Sequence, residues 1–159
     1  MHQEELPMYR PGIIYTRTPD ENQDIFKAWA RPDEAFFAAG ACHILGHLFF
    51  WMHRHEGFKL THIRPTKGDV GHHMFASNGE WAFDFNGWTR EKDLLQSYTA
   101  AYKKEYPGWS YEKIIYEHGL FDKPEDHMPP EFFPHLPWER AYKYIQRFPT
   151  QPPKETQSH

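Results

Sequence analysis

Asn78-Gly79 lies between two apolar-rich runs, residues 72–77 and 80–85, and commits the middle of the chain to an antiparallel hairpin. Both residues accept the positive φ that a tight two-residue turn imposes. Such a turn pairs Ser77 with Glu80 and, counting back, Ala76 with Trp81, Phe75 with Ala82, Met74 with Phe83 and His73 with Asp84. Strand side chains alternate, so Met74, Ala76, Trp81, Phe83 and Phe85 share an apolar face while His73 and Asp84 share the other. Directly opposed residues have Cβ atoms about 4.5–5.5 Å apart, within reach of an imidazole–carboxylate bond. A one-residue slip would put His72 in the place of His73.

The second constraint is a thiol. Cys42 is the only cysteine, so it has no internal disulfide partner. It opens a segment, residues 42–55, in which Ile44, Leu45, Leu48, Phe49 and Met52 recur at helical period, and Gly57 follows as a stop. At a helix start the positive end of the macrodipole favours a thiolate. A cysteine beside an apolar stripe is by default a small buried hydrophobe. The His73–Asp84 pairing points instead to chemistry. Asp84 would fix the imidazole tautomer, leaving the other ring nitrogen of His73 to take the thiol proton of Cys42. The backbone N–H groups of Ala41 and Cys42, at the helix start, would supply half of an oxyanion hole.

Around this centre the chain predicts an α+β domain over residues 1–150, with helices on both sides of a small antiparallel sheet. Residues 1–12 read as an extended arm and Ile13-Ile14-Tyr15 as a short strand. Residues 20–29 read as a helix, Asp33 as the cap of a short turn broken by Gly40, and residues 58–64 as a strand. Thr89 is placed as the N-cap of a helix reaching Glu105, with Leu94, Leu95, Tyr98, Ala101 and Tyr102 inward. Asn86-Gly87-Trp88 is placed as the turn that leads the chain out of the sheet, with Glu80 solvated at the hairpin tip. Two further helices are expected over residues 110–118 and 138–148, separated by a proline-rich loop, and residues 151–159 as a disordered tail.

Gly40-Ala41-Cys42 is similar to the Gly-x-Cys of many transglutaminase-like nucleophiles. His73-Met74-Phe75-Ala76, followed by Gly79-Glu80-Trp81-Ala82-Phe83-Asp84, resembles the histidine and aspartate strands of the same enzymes. Residues 38–88 thus resemble the papain-like cysteine hydrolases, especially the transglutaminase-like and NlpC/P60-like branches. The resemblance implies a papain-like core, in which a cysteine-bearing helix packs on an antiparallel sheet, and a Cys42–His73–Asp84 triad acting on a peptide or small amide without a cofactor. His43 departs from the family pattern, which often has an aromatic residue after the cysteine.

Composition excludes other classes. The net charge is -4 and no Lys/Arg run builds a basic stripe, so no nucleic-acid footprint is expected. No stretch approaches the ~20 apolar residues of a membrane span, and residues 1–5 lack an apolar leader. With one cysteine, these features suit a cytoplasmic protein. Two other readings compete with the triad. The chain has 12 histidines, and His43 and His47 stand i, i+4 on one helical face, a spacing two metal ligands can share. The HExxH signature is absent, and the simpler role is a solvent-facing or hydrogen-bonded packing histidine. Alternatively Trp81, Trp88, Trp109, Trp138, Tyr111, Tyr116 and Tyr142 would line a groove of a binding module without catalysis, although with aromatics at 18% such residues are first candidates for the core.

Overall fold

The computed structural model describes residues 24–124 and 127–153. The expected arm, the strand at residues 13–15 and the tail beyond residue 153 lie outside the described residues. Two short helices lead in. Helix α1 (Ile25–Trp29) is capped by Asp24, whose carboxylate accepts from the Phe26 and Lys27 N–H groups. Helix α2 (Asp33–Ala38) starts after Pro32, so Asp33 is its first residue and not its cap. Helix α3 (Cys42–Met52) continues through a 3-10 turn (Arg54–Glu56) to Gly57, at φ 85°. Strands β1 (Lys59–Pro65), β2 (His73–Ser77), β3 (Trp81–Asp84) and β4 (Gly87–Arg90) follow. Helix α4 (Glu91–Glu105), β5 (Tyr111–Tyr116) and α5 (Trp138–Ile145) complete the described chain, with 3-10 turns at Gly119–Asp122 and Pro130–Phe132.

The strands form one five-stranded sheet in the order β4-β3-β2-β1-β5, every neighbouring pair antiparallel. The α+β class expected from the sequence is what the chain adopts. Helix α3 lies on one face, where Ile44, Leu45 and Phe49 meet Ala76, Phe83 and Trp88, and α5 closes over it with Ala141, Tyr144 and Ile145. Helix α4 covers the other face, with Leu94 and Tyr102 against Ile63, Phe75 and Ala82. Aromatic rings supply much of the filling, as in the stack of Phe49 on Phe83 at 4.1 Å. Trp88 and Trp109, candidates for a groove, are core residues. Among the described residues no helix is long and apolar enough to cross a membrane.

Four further expectations are corrected. Residues 111–116 are a strand, not a helix: Tyr, Ile and Ile suit the pleated surface, and β1 supplies the ladder from Leu60↔Tyr116 to Pro65↔Tyr111. Asn86-Gly87 does not lead the chain out of the sheet. It turns β3 into β4, with Asp84 paired to Gly87 at φ 85°, and Thr89 is a strand residue so that α4 begins at Glu91 with Arg90 as its cap. The first hairpin is also offset. Ala76 pairs with Phe83 and Ser77 with Ala82, and the Asn78 N–H donates to Trp81 O, making Gly79-Glu80 the central pair of the turn. Asn78 stands at the corner, where Oδ1 accepts from the Glu80 and Trp81 N–H groups. The offset is two residues, so every side chain keeps its expected face.

Candidate active site

Local chemistry sets Cys42 in place. Gly40, at φ 115°, breaks the chain between α2 and α3. Arg31 Nη1 donates to Ala39 O at 2.9 Å, and the Ala41 N–H donates to Phe36 O at 3.1 Å. Ala41 is therefore already bonded and is not an oxyanion donor, which corrects half of the expected pair. Cys42 itself is the first residue of α3, where an N–H has no acceptor further back in the helix. The sulfur-bearing end of α3 reaches the sheet because Gly46 lets the helix ride close to the β2 backbone. A Cβ there would stand 2.9 Å from Leu60 Cδ1 and 3.3 Å from Phe75 Cα.

His73 and Asp84 share a face, as expected. Because of the two-residue offset, Asp84 lies diagonally across from His73 rather than opposite it. The side chains still meet: His73 Nε2 is 2.9 Å from Asp84 Oδ2, with both groups buried. The other carboxylate oxygen, Oδ1, accepts from the Asn86 N–H at 2.9 Å. The tight Asp84–Gly87 turn thus aims the carboxylate. With Nε2 turned to Asp84, Nδ1 is the His73 nitrogen left for the thiol. Tyr98 of α4 stacks on His73 with ring centroids 5.1 Å apart and planes within 15°, and its hydroxyl donates to His72 O at 3.3 Å. Tyr98 reads in the sequence only as an inward helix residue, and nothing local links it to His73.

The electrostatics join the three groups. Burial by itself would raise the Cys42 pKa, but hydrogen bonding to His43 and His73 and the charges of those rings pull it down to about 5. Burial by itself would lower His73, but the bond to Asp84, the bond to Cys42 and their negative charges push it up to about 9. The combination is a thiolate–imidazolium pair backed by a carboxylate.

The other histidines near this centre, His43, His47 and His72, are held by protein groups. His43 Nε2 lies 2.7 Å from Met128 O, and since a carbonyl only accepts, that nitrogen carries the proton. His47 Nδ1 accepts from the Leu120 N–H at 2.9 Å. Both rings are buried under the C-terminal segment, His43 at 4% and His47 at 9% exposure, so the packing role holds and the solvent-facing one does not. Among the described residues no three His, Cys, Asp or Glu side chains are grouped to hold a metal. His72 is paired elsewhere, with Nδ1 2.9 Å from His62 Nε2, while His62 Nδ1 meets Tyr116 Oη at 3.0 Å.

Cys42 is partly exposed and opens on a cleft of about 410 Å³. Gly40 and His43 form the wall on the helix side, Asp69 and His72 come from the β1–β2 connection, and His127 and Met128 from the proline-rich segment. Asp69, His127 and Met128 are remote in sequence from the cysteine, and no motif marks them. Compared with known proteins, the chain matches no family model, no curated protein and no solved structure.

Proposed function

We propose that this protein is a cysteine hydrolase or acyltransferase acting on an amide bond through a Cys42 thioester, built on a papain-like core. The observation that carries the reading is the 2.9 Å His73–Asp84 bond beside the one cysteine, which sits at a helix start and opens on a cleft.

The Cys42 thiolate attacks the amide carbonyl, forming the C–S bond, and the carbonyl electron pair moves to oxygen, where the Cys42 N–H and the positive end of α3 stabilise it. Collapse of the tetrahedral intermediate breaks the C–N bond, and His73 gives its Nδ1 proton to the departing amine. The thioester is then open to water. His73, now neutral, takes a proton from that water as it attacks, and the acid and thiolate are released with the imidazolium restored. An amine in place of water gives transpeptidation by the same steps. Asp84 holds the ring and offsets its charge throughout. A free thiol in this role suits a reducing, cytoplasmic setting, and the substrate is a peptide or small amide.

Native protein exposed to iodoacetamide at neutral pH tests this. We expect rapid single alkylation at Cys42, slowed by His73→Ala and less so by Asp84→Asn. A Cys42 that stays inert until the protein is denatured overturns the reading in favour of an inactive relative serving as a binding module.

A further inference from the structure

Among the described residues, the lining of the cleft over Cys42 carries one permanent charge. Asp69 is exposed in the turn between β1 and β2, and no described lysine or arginine lines the same space. Lys67 shares that turn without lining the cleft. The charges of the Cys42–His73 pair cancel to first order, and Asp84 adds a buried negative charge behind the ring. Of the three histidines at the walls, His43 is oriented on Met128 O and His72 on His62, and His127 completes the wall. A ligand entering the cleft therefore meets a carboxylate at the rim and a second one behind the floor. An ammonium or guanidinium is drawn to that field and an anion is repelled.

Resting on the hydrolase reading above, we infer that the site selects amides bearing a cationic group, with Asp69 at the rim as the residue that recognises it. Asp69 is a specificity residue and takes no part in the bond-making step. The group it receives is an amine or guanidine flanking the attacked carbonyl, presented to the cleft while the carbonyl reaches Cys42.

Two methanethiosulfonates of opposite charge, trimethylammonioethyl and sulfonatoethyl, test the field without knowledge of the natural substrate. In each case the Cys42 thiolate attacks the reagent's divalent sulfur, a disulfide forms, and methanesulfinate leaves with the electron pair. Since Cys42 is the only cysteine, the label reports one site. Rates are divided by those of each reagent with 2-mercaptoethanol, which removes intrinsic reactivity. At low salt the wild-type protein should favour the cation about tenfold, and high salt should shrink the ratio. Asp69→Asn, an exposed turn substitution, should bring the ratio close to unity, and Asp69→Lys should reverse it. A wild-type ratio near unity, or one that Asp69→Asn leaves unchanged, overturns the inference while the hydrolase reading stands. A Cys42 inert to both reagents and to iodoacetamide overturns the hydrolase reading and this inference with it.

Discussion

Cys42 gives up its proton near pH 5 and His73 keeps its own to about pH 9, so the charged pair occupies the window between. Alkylation should rise through pH 5 and level off, whereas acyl transfer, which also needs the imidazolium proton, should fall again through pH 9. The gain over a free thiol has two opposing parts. At pH 6 a thiol of pKa about 8.5 is ionised to roughly 0.3%, so full ionisation is worth a factor of about 300. The less basic thiolate is intrinsically slower, by about 30-fold for a Brønsted slope near 0.4–0.5. The net is about a tenfold faster reaction at pH 6 than with a simple thiol. In His73→Ala burial is opposed by less charge, and the alkylation midpoint should climb above pH 7. A midpoint that stays near 5 would show that His73 does not govern the thiol. His47 titrates in the opposite sense to His73. Burial first, and then the charge of His43, hold its pKa down at about 4, so the folded state binds fewer protons than the unfolded chain between pH 4 and 6.5. Stability contributed by neutral His47 is therefore present above pH 6.5 and lost as pH falls to 4. The loss should be on the order of 2 kcal/mol, less than the full shift implies because solvent partly screens the ring. Denaturation of wild type and His47→Gln across that range should show the difference between them narrowing as pH falls; a constant difference would mean that His47 is not the titrating group.

At the scale of elements, the site depends on how closely α3 approaches β2. Gly46 is at the crossing, and a methyl there meets Leu60 and the Phe75 backbone. Leu60 Cδ1 can turn aside, but the main chain cannot. Gly46→Ala should cost about 1–3 kcal/mol in urea denaturation and lift the helix from the strand. The same variant should slow alkylation of Cys42 at pH 6, because the thiol moves away from His73. Full stability with unchanged alkylation would show that the contact does not set the spacing. Faces were legible at this scale where registers were not. Alternation put His73 and Asp84 on one side whichever two-residue step the turn took, whereas the step itself was chosen by Asn78, whose side chain caps the turn from the corner. Residues 111–116 are ambiguous in the sequence because a short run of Tyr and Ile fits helix or strand, and only the edge of β1 decides between them.

Across the whole molecule, α5 ties the N-terminal helices to the sheet. Arg140 donates to Asp33 Oδ1, Trp29 O and Arg31 O, each at 2.7 Å, and its guanidinium lies 4.0 Å over the Phe36 ring. Further along, Tyr144 donates to Phe85 O and Trp88 Nε1 donates to Pro149 O, which fastens the turn that carries Asp84. Arg140→Lys keeps the charge but not the planar fork. It should lower stability by about 2–3 kcal/mol, read as a lower Tm and faster proteolysis near Arg31. An unchanged Tm would mean that the fork is not what holds these segments. The helix that begins at Cys42, the hairpin, and the shared face of His73 and Asp84 follow from the residue order alone, because turn chemistry and side-chain period are local properties of neighbouring residues. That β5 is a strand, that the C-terminal segment covers His43 and His47, and that Asp69 and Met128 line the cleft over the thiol were settled by tertiary packing. Those outcomes join residues far apart in the chain, where the free energy comes from the partner surface and no local pattern records which partner it will be.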